Sequence, residues 1–288
     1  VLGLGRPGRF VAAFVFMFTP YILQYSGRIS VILMPWSGLP WMLAFVVLAL
    51  RRPGWRYPAL FAVVVALVSS INASSLLYVG IGPALWLPFA VVVLREHRWS
   101  DAWRVAWRVA LLTLLVSAWW IVALQVESAF GVDILRYTET IQSTASASSP
   151  TEILRSLGYW FFYGQDKIGP WIESALPYTQ SAAHLAISFA LPTLALALAG
   201  FTRWRHRTYF ALLALVGTAV AVGAYPYDDT SPLGSVLKGF AARSTAGLAL
   251  RSTGRATPLV VLSLATFLAV GISALAVRLE ARQRTGLA

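Results

Sequence analysis

Six of the eleven acidic residues, Glu127, Asp133, Glu139, Glu152, Asp166 and Glu173, fall between positions 127 and 181. Only Arg136, Arg155 and Lys167 oppose them there, so the interval carries an excess of three negative charges in a chain whose formal net charge is +12. A carboxylate can take a proton from a hydroxyl or hold a divalent cation. Acids gathered into one polar interval between apolar segments therefore point to chemistry at a membrane surface. Glu127 is the foremost candidate. It follows Trp119 and Trp120 at the mouth of an apolar run, and a carboxylate at that depth costs free energy unless it finds a partner. It reads as a catalytic base or as a ligand to Mg, Mn or Ca, with a solvated helix end as the plain alternative. Arg28 is the one basic residue in the turn Tyr25-Ser-Gly-Arg-Ile-Ser30. Its planar, permanently charged fork suits a lipid phosphate; a snorkelling arginine that ends a helix is the other reading. Asp166 and Lys167 follow an aromatic block as a binding pair or a surface pair.

These residues have to be positioned by apolar helices. Hydrophobic residues make up 58% of the 288 positions, charged residues 12%, and the mean hydropathy is +0.69. Soluble domains average about a quarter charged. Repeated apolar runs of about 17–22 residues identify an all-α polytopic membrane protein. Eight spans are expected, at about 10–26, 31–50, 57–73, 76–94, 107–126, 182–200, 208–224 and 258–277, within one membrane module covering 1–288. Alternate loops divide the basic residues unequally. One set holds Arg6, Arg9, Arg51, Arg52, Arg56, Arg95, Arg98, Arg104, Arg108, Arg203, Arg205, Arg207, Arg278, Arg282 and Arg284, fifteen in all. The other holds Arg28, Arg136, Arg155, Lys167, Lys238, Arg243, Arg251 and Arg255, eight in longer loops. By the positive-inside rule both termini face the cytoplasm and the loop 127–181 lies outside the plasma membrane. Within it, the stretch from Pro150 to Tyr163 reads as one amphipathic helix with Thr151 near its cap. Ile153, Leu154, Leu157, Trp160 and Phe161 would lie on one face, down on the bilayer. Trp99 to Arg108 reads as an interfacial helix entering the fifth span.

Several classes fall away. The arginines sit at helix ends rather than along a basic face, so no nucleic-acid partner is expected. Gly3-Leu-Gly-Arg-Pro-Gly8 matches a dinucleotide fingerprint literally, but no strand precedes it and no acid follows at the required distance. No organic cofactor is expected. His97, His184 and His206 are far apart, there is no cysteine, and Asp228-Asp229 precedes Thr-Ser-Pro as a turn would. Val1 stands where a start Met would, so a piece of a longer protein is expected.

The segments Tyr25-x-Gly-Arg-x-Ser30, Pro35-Trp36, Leu39-Pro40-Trp41, Leu157-Gly-Tyr-Trp-Phe-Phe-Tyr-Gly164 and Gly169-Pro-Trp171 resemble the AftD family of mycobacterial arabinofuranosyltransferases, along the whole chain. The resemblance implies a GT-C type glycosyltransferase. Such enzymes move arabinofuranose from decaprenyl-phosphoryl-arabinose, a polyprenyl-phosphate sugar lipid, to the arabinan acceptor glycan of arabinogalactan and lipoarabinomannan. The family's catalytic base belongs on a first outer loop that this chain does not show. The chain thus resembles the middle of the transmembrane module, and alone it is expected to bind lipid but transfer little. Arg28 would neutralise the leaving phosphate, Glu127 would orient the acceptor or ligate a metal, and Tyr159 and Trp160 would wall the lipid channel and stack on sugar. A lipid-linked sugar transporter or a non-catalytic scaffold are the rival classes. A transporter should show mid-span ionisable groups or internal repeats, and a scaffold leaves the concentration of acids unexplained.

Overall fold

The computed structural model describes residues 2–69 and 72–285. Ser70 and Ile71, inside the expected span 57–73, lie outside the described residues. Helices α1 (Arg6–Met17), α2 (Pro20–Ser26), α3 (Leu33–Arg51), α4 (Arg56–Val68), α5 (Ala73–Val92) and α6 (Trp99–Phe130) come first. A loop region carries α7 (Ile141–Ser146), α8 (Pro150–Leu154) and α9 (Ala175–Gln180). Then follow α10 (Ala182–Phe201), α11 (Arg207–Val222), α12 (Pro232–Arg243), α13 (Thr245–Ala249) and α14 (Thr257–Thr285). Among the described residues, five segments are long and apolar enough to cross a membrane: Ser30–Arg51, Ala73–Val92, Trp99–Phe130, Ala182–Phe201 and Thr253–Leu279. Helices α4 and α11 are apolar but shorter.

Helix α14 is the hub. Val260, Val261, Leu264, Ala265, Leu268 and Ala269 are all buried, because α1, α3, α5, α10 and α11 surround it. Small residues mark the crossings. A Cβ on Gly8 of α1 would overlap Ser273 and the Ala269 carbonyl, and one on Gly271 would overlap Leu198 of α10. Close backbone approach of this kind is how helices gain dispersion energy where lipid is as apolar as leucine. Helix α6 is the opposite case, with only 6% of its apolar window buried against 61% for α14.

The structure corrects three local expectations. The span at 10–26 is two helices, because Pro20 cannot continue α1 and Thr19 caps α2 by accepting from the Tyr21 N–H. The interfacial helix and fifth span are one 32-residue helix, α6, whose Asp101 side chain accepts from the Arg98 backbone N–H. The amphipathic helix at 150–163 does not form. Ser149, not Thr151, caps α8, which ends at Leu154. Ser156 and Gly158 then turn through positive φ (65° and 107°), and the aromatic block closes as a 3-10 turn over Trp160–Tyr163. Glycine adopts such a backbone at little cost, so Gly158 lets the chain complete the turn that Ser156 begins after α8 has ended.

The connections gather at two poles. At one, Trp55 packs edge-on to Trp107 at 5.2 Å, Arg108 donates to the Gly54 carbonyl, and Arg205 pairs with Glu96. At the other, the loop after α6 binds α2, α10, the end of α11 and the segment before α14.

Candidate functional site

The second pole is built around a buried amide. Gln24, on α2 and 1% exposed, donates to the Ser156 carbonyl at 2.9 Å and accepts the Tyr159 N–H at 2.8 Å. That clamp fixes the irregular turn after α8 and sets the Tyr159 ring on Tyr25, with centroids 4.4 Å apart. Phe161 then lies against Trp171 at 4.7 Å, and Trp160 meets Trp171 edge-on at 5.9 Å. Trp171 covers the Cα of Gly164, where any Cβ would fall inside the indole.

Asp166 shapes the turn that delivers Trp171. Its Oδ1 accepts the Ile168 and Gly169 N–H groups at 2.8 and 3.2 Å, and its Oδ2 accepts the Trp171 Nε1–H at 3.1 Å. The Ile168 N–H above all, with further help from Gly169, Trp171 and Arg28, holds this carboxyl below its usual range despite partial desolvation. Arg28 lies over the Phe161 ring at 5.7 Å and donates to the Trp171 carbonyl at 3.2 Å. Lys167 is exposed at the tip of the turn.

Glu152 sits behind this turn. Its Oε1 pairs with Arg155 at 2.5 Å, and the Tyr163 hydroxyl donates to its Oε2. Burial and then Glu152 raise the Tyr163 phenol far above its usual range. Arg155, 4% exposed, also donates to Ser188 Oγ at 2.7 Å and to the Tyr178 carbonyl at 2.6 Å, tying the loop to α9 and α10. A cavity of about 520 Å³ opens beside this pair, lined by Ser143, Ser146, Ser149, Glu152, Trp160, Trp171 and Tyr225 among others. The carboxylate's charge is already matched by Arg155, while Trp160, Trp171 and the locally hydrogen-bonded Ser143, Ser146 and Ser149 line the open space beside it. Such a lining suits a neutral polyhydroxylated molecule, whose C–H faces lie on rings and whose hydroxyls need acceptors.

Against this geometry the comparisons with known proteins can be set. A family model described as the N-terminal GT-C domain of alpha-(1->3)-arabinofuranosyltransferase matches residues 1–287. The chain belongs to that family. It is 29% identical over 277 residues to the alpha-(1->3)-arabinofuranosyltransferase of Mycobacterium tuberculosis, covering 93% of this chain and 19% of the relative. The corresponding protein of Mycolicibacterium smegmatis is also 29% identical over 277 residues, with 92% and 18% covered. The chain therefore spans under a fifth of the length of these relatives. A cryo-EM structure of the mycobacterial arabinofuranosyltransferase AftD superposes with a TM-score of 0.62 at 24% identity, over 94% of this chain and 16% of that one. That likeness shows the fold.

Within this N-terminal GT-C domain, Arg28, Tyr159, Trp160, Asp166 and Lys167 come to one pole of the bundle. Glu127 stands exposed near the end of α6, and no described hydrogen bond or ion pair joins it to Arg28. Among the described residues no three His, Asp or Glu side chains are grouped to hold a metal ion. The residues present thus do not make a metal site around Glu127, and no step below passes through one. Sequence reasoning overlooked Gln24, although a lone amide in an apolar run is itself a signal. It also overlooked Glu152 with Arg155, whose i,i+3 spacing is legible as a helical pair, and the cavity they support, which only folding assembles.

Proposed function

We propose that this chain is part of the membrane module of an arabinofuranosyltransferase that moves arabinofuranose from decaprenyl-phosphoryl-arabinose to cell-wall arabinan. The transfer takes place at the outer face of the plasma membrane, and the cavity beside Trp160 and Trp171 receives a sugar unit. The observation that carries this reading is the lining of that cavity: two tryptophans, three serines and a charge-compensated carboxylate. Eight passes with both ends inside, counting α1 with α2 as one broken pass, put this pole outside. The unequal division of arginine between alternate loops supports that orientation. A lipid donor presents its phosphate at the same surface. Arg28 and Lys167, exposed cations at the rim, are placed to draw it there. Tyr159, stacked on Tyr25, holds the wall. Glu127, as an exposed carboxylate near the end of α6, is the base or acceptor-orienting group this chain offers. Family membership favours transfer over the transporter and scaffold readings.

The test is binding of an arabinofuranosyl oligosaccharide to the purified chain in nanodiscs, followed by saturation-transfer NMR. Ser146→Trp, which fills the cavity from an exposed position, should abolish the signal. Equal signals from Ser146→Trp and the unaltered chain would exclude the cavity as the sugar site.

A further inference from the structure

A second group of charges lies at the same pole, and its balance differs. The outer-loop residue Glu139 meets Arg251 and Arg255, which precede α14. Arg251 is 4% exposed and its donors are spent locally. It donates through Nε to the Glu139 carbonyl at 2.5 Å, through NH1 to the Leu248 carbonyl at 2.7 Å, and through NH2 to Thr138 Oγ1. Arg255 is not spent. Its NH1 donates to Ser74 Oγ at 2.5 Å, with Asn72 Oδ1 at 3.4 Å. Its NH2 lies 3.8 Å from Glu139 Oε1, an ion pair beyond hydrogen-bond reach. The edge of the guanidinium made by Nε and NH2 therefore has no hydrogen-bonded acceptor among the described residues, and the side chain is 16% exposed.

Two guanidiniums and one carboxylate leave the group with one excess positive charge in a largely buried place. Burial of an uncompensated charge is unfavourable, so a site of this kind is complete only when an anion joins it. The surroundings favour one. The positive end of the α14 dipole lies two residues beyond Arg255. The phenol of Tyr159 is within electrostatic reach of both Glu139 and Arg255; burial first, then Glu139, push it up to about 12, while Arg255 opposes the shift. The phenols of Tyr21 and Tyr25 also lie within reach of the Arg255 charge. Among the described residues two buried hydroxyls nearby in sequence have no partner, that of Ser75, next to Ser74, and that of Thr257, two residues after Arg255.

We infer that Arg255, backed by Arg251 and Glu139, is the seat of a phosphate group, with the free guanidinium edge taking two phosphate oxygens side by side. This deepens the arabinofuranosyltransferase reading, on which the choice of a phospholipid-like ligand rests. It moves the final position of the phosphate from Arg28 at the rim to Arg255 inside. The anion would come from a lipid phosphate monoester or from free phosphate, and the chemistry recognised is the same.

The experiment measures binding directly, without sugar transfer, so it can fail or succeed whatever the sugar cavity does. The purified chain in nanodiscs of neutral lipid is titrated with dodecyl phosphate, with inorganic phosphate, and with dodecyl maltoside as the uncharged control. Dodecyl phosphate should bind and dodecyl maltoside should not. Binding of inorganic phosphate as well would show that the headgroup suffices, whereas its failure would assign the site to a lipid. A bidentate charge-assisted pair is worth about 1.5–3 kcal/mol, so Arg255→Gln should weaken phosphate binding about tenfold or more. Arg255→Lys keeps the charge that balances Glu139 and so protects the fold, but it loses the fork and should weaken binding several-fold. Equal affinity in both Arg255 variants and the unaltered chain, or no phosphate binding by the folded chain, would overturn the assignment.

Discussion

Two acid–arginine groups at one pole differ in a single charge, and that difference separates what each can hold. Glu152 with Arg155 is balanced: one carboxylate, one guanidinium, every arginine nitrogen turned to a local acceptor. The cavity beside it can therefore accept a neutral ligand at no electrostatic cost. Glu139 with Arg251 and Arg255 carries one cation too many, and one guanidinium edge is left open. The balanced group reads as the wall of a sugar site and the unbalanced one as the seat of an anion. Both sit beside the aromatic turn of Tyr159 to Tyr163, which Gln24 holds in place, so a lipid-borne sugar could engage the two together.

The comparison can be broken at its structural root. Arg155→Met would strand Glu152 in a mostly buried place and cut the loop from α9 and α10. Loss of one partner of a buried pair costs about 3–5 kcal/mol, and thermal unfolding in detergent should show the largest destabilisation of any change at this pole. The clamp comes next. Gln24→Leu removes both hydrogen bonds to the turn and leaves the Ser156 carbonyl and the Tyr159 N–H unpaired, at about 1–3 kcal/mol for each group. Hydrogen exchange at Tyr159 should accelerate, while the core amides of α14 keep their protection.

Gly164→Ala sharpens the distinction without touching a charge. The added methyl would displace the Trp171 indole, and overpacking of this kind costs about 1–3 kcal/mol. Oligosaccharide binding should fall, while dodecyl phosphate binding stays within the error of the unaltered chain. The smallest effect is acidic. Because Asp166 is held below its ordinary pKa of 3.8, its contribution to the turn is complete above that value and is lost as the pH falls through its depressed one. Trp171 fluorescence should report that change, and Asp166→Asn should remove the pH step.

Much of the fold is legible in the sequence because its signals are local. Apolar length marks α3, α5, α10 and α14, and arginine placement separates the two poles. What escapes is what tertiary context decides. The period of Ile153, Leu154, Leu157, Trp160 and Phe161 fits a helix, yet Ser156 and Gly158 turn the chain and bury Ile153, Leu157 and Phe162 instead. The aromatic block is visible as composition, but its use as a cavity wall depends on Asp166 holding a turn, which sequence spacing presents only as an acid beside a lysine. Arg251 and Arg255 count in the sequence merely as two more positive loop residues. Their inequality, one spent and one open, arises from Thr138, Glu139 and Ser74, which come from other parts of the chain.

The most direct test is arabinose transfer in membranes containing the protein at its full natural length. The donor is radiolabelled decaprenyl-phosphoryl-arabinose and the acceptor an arabinan oligosaccharide. Ser146→Trp, which fills the sugar cavity while leaving both charge groups intact, should reduce transfer by about two orders of magnitude or more, as expected when a substrate is kept from its near-attack position. Full transfer by Ser146→Trp, with the variant present in the membrane at the level of the unaltered protein, would contradict the account.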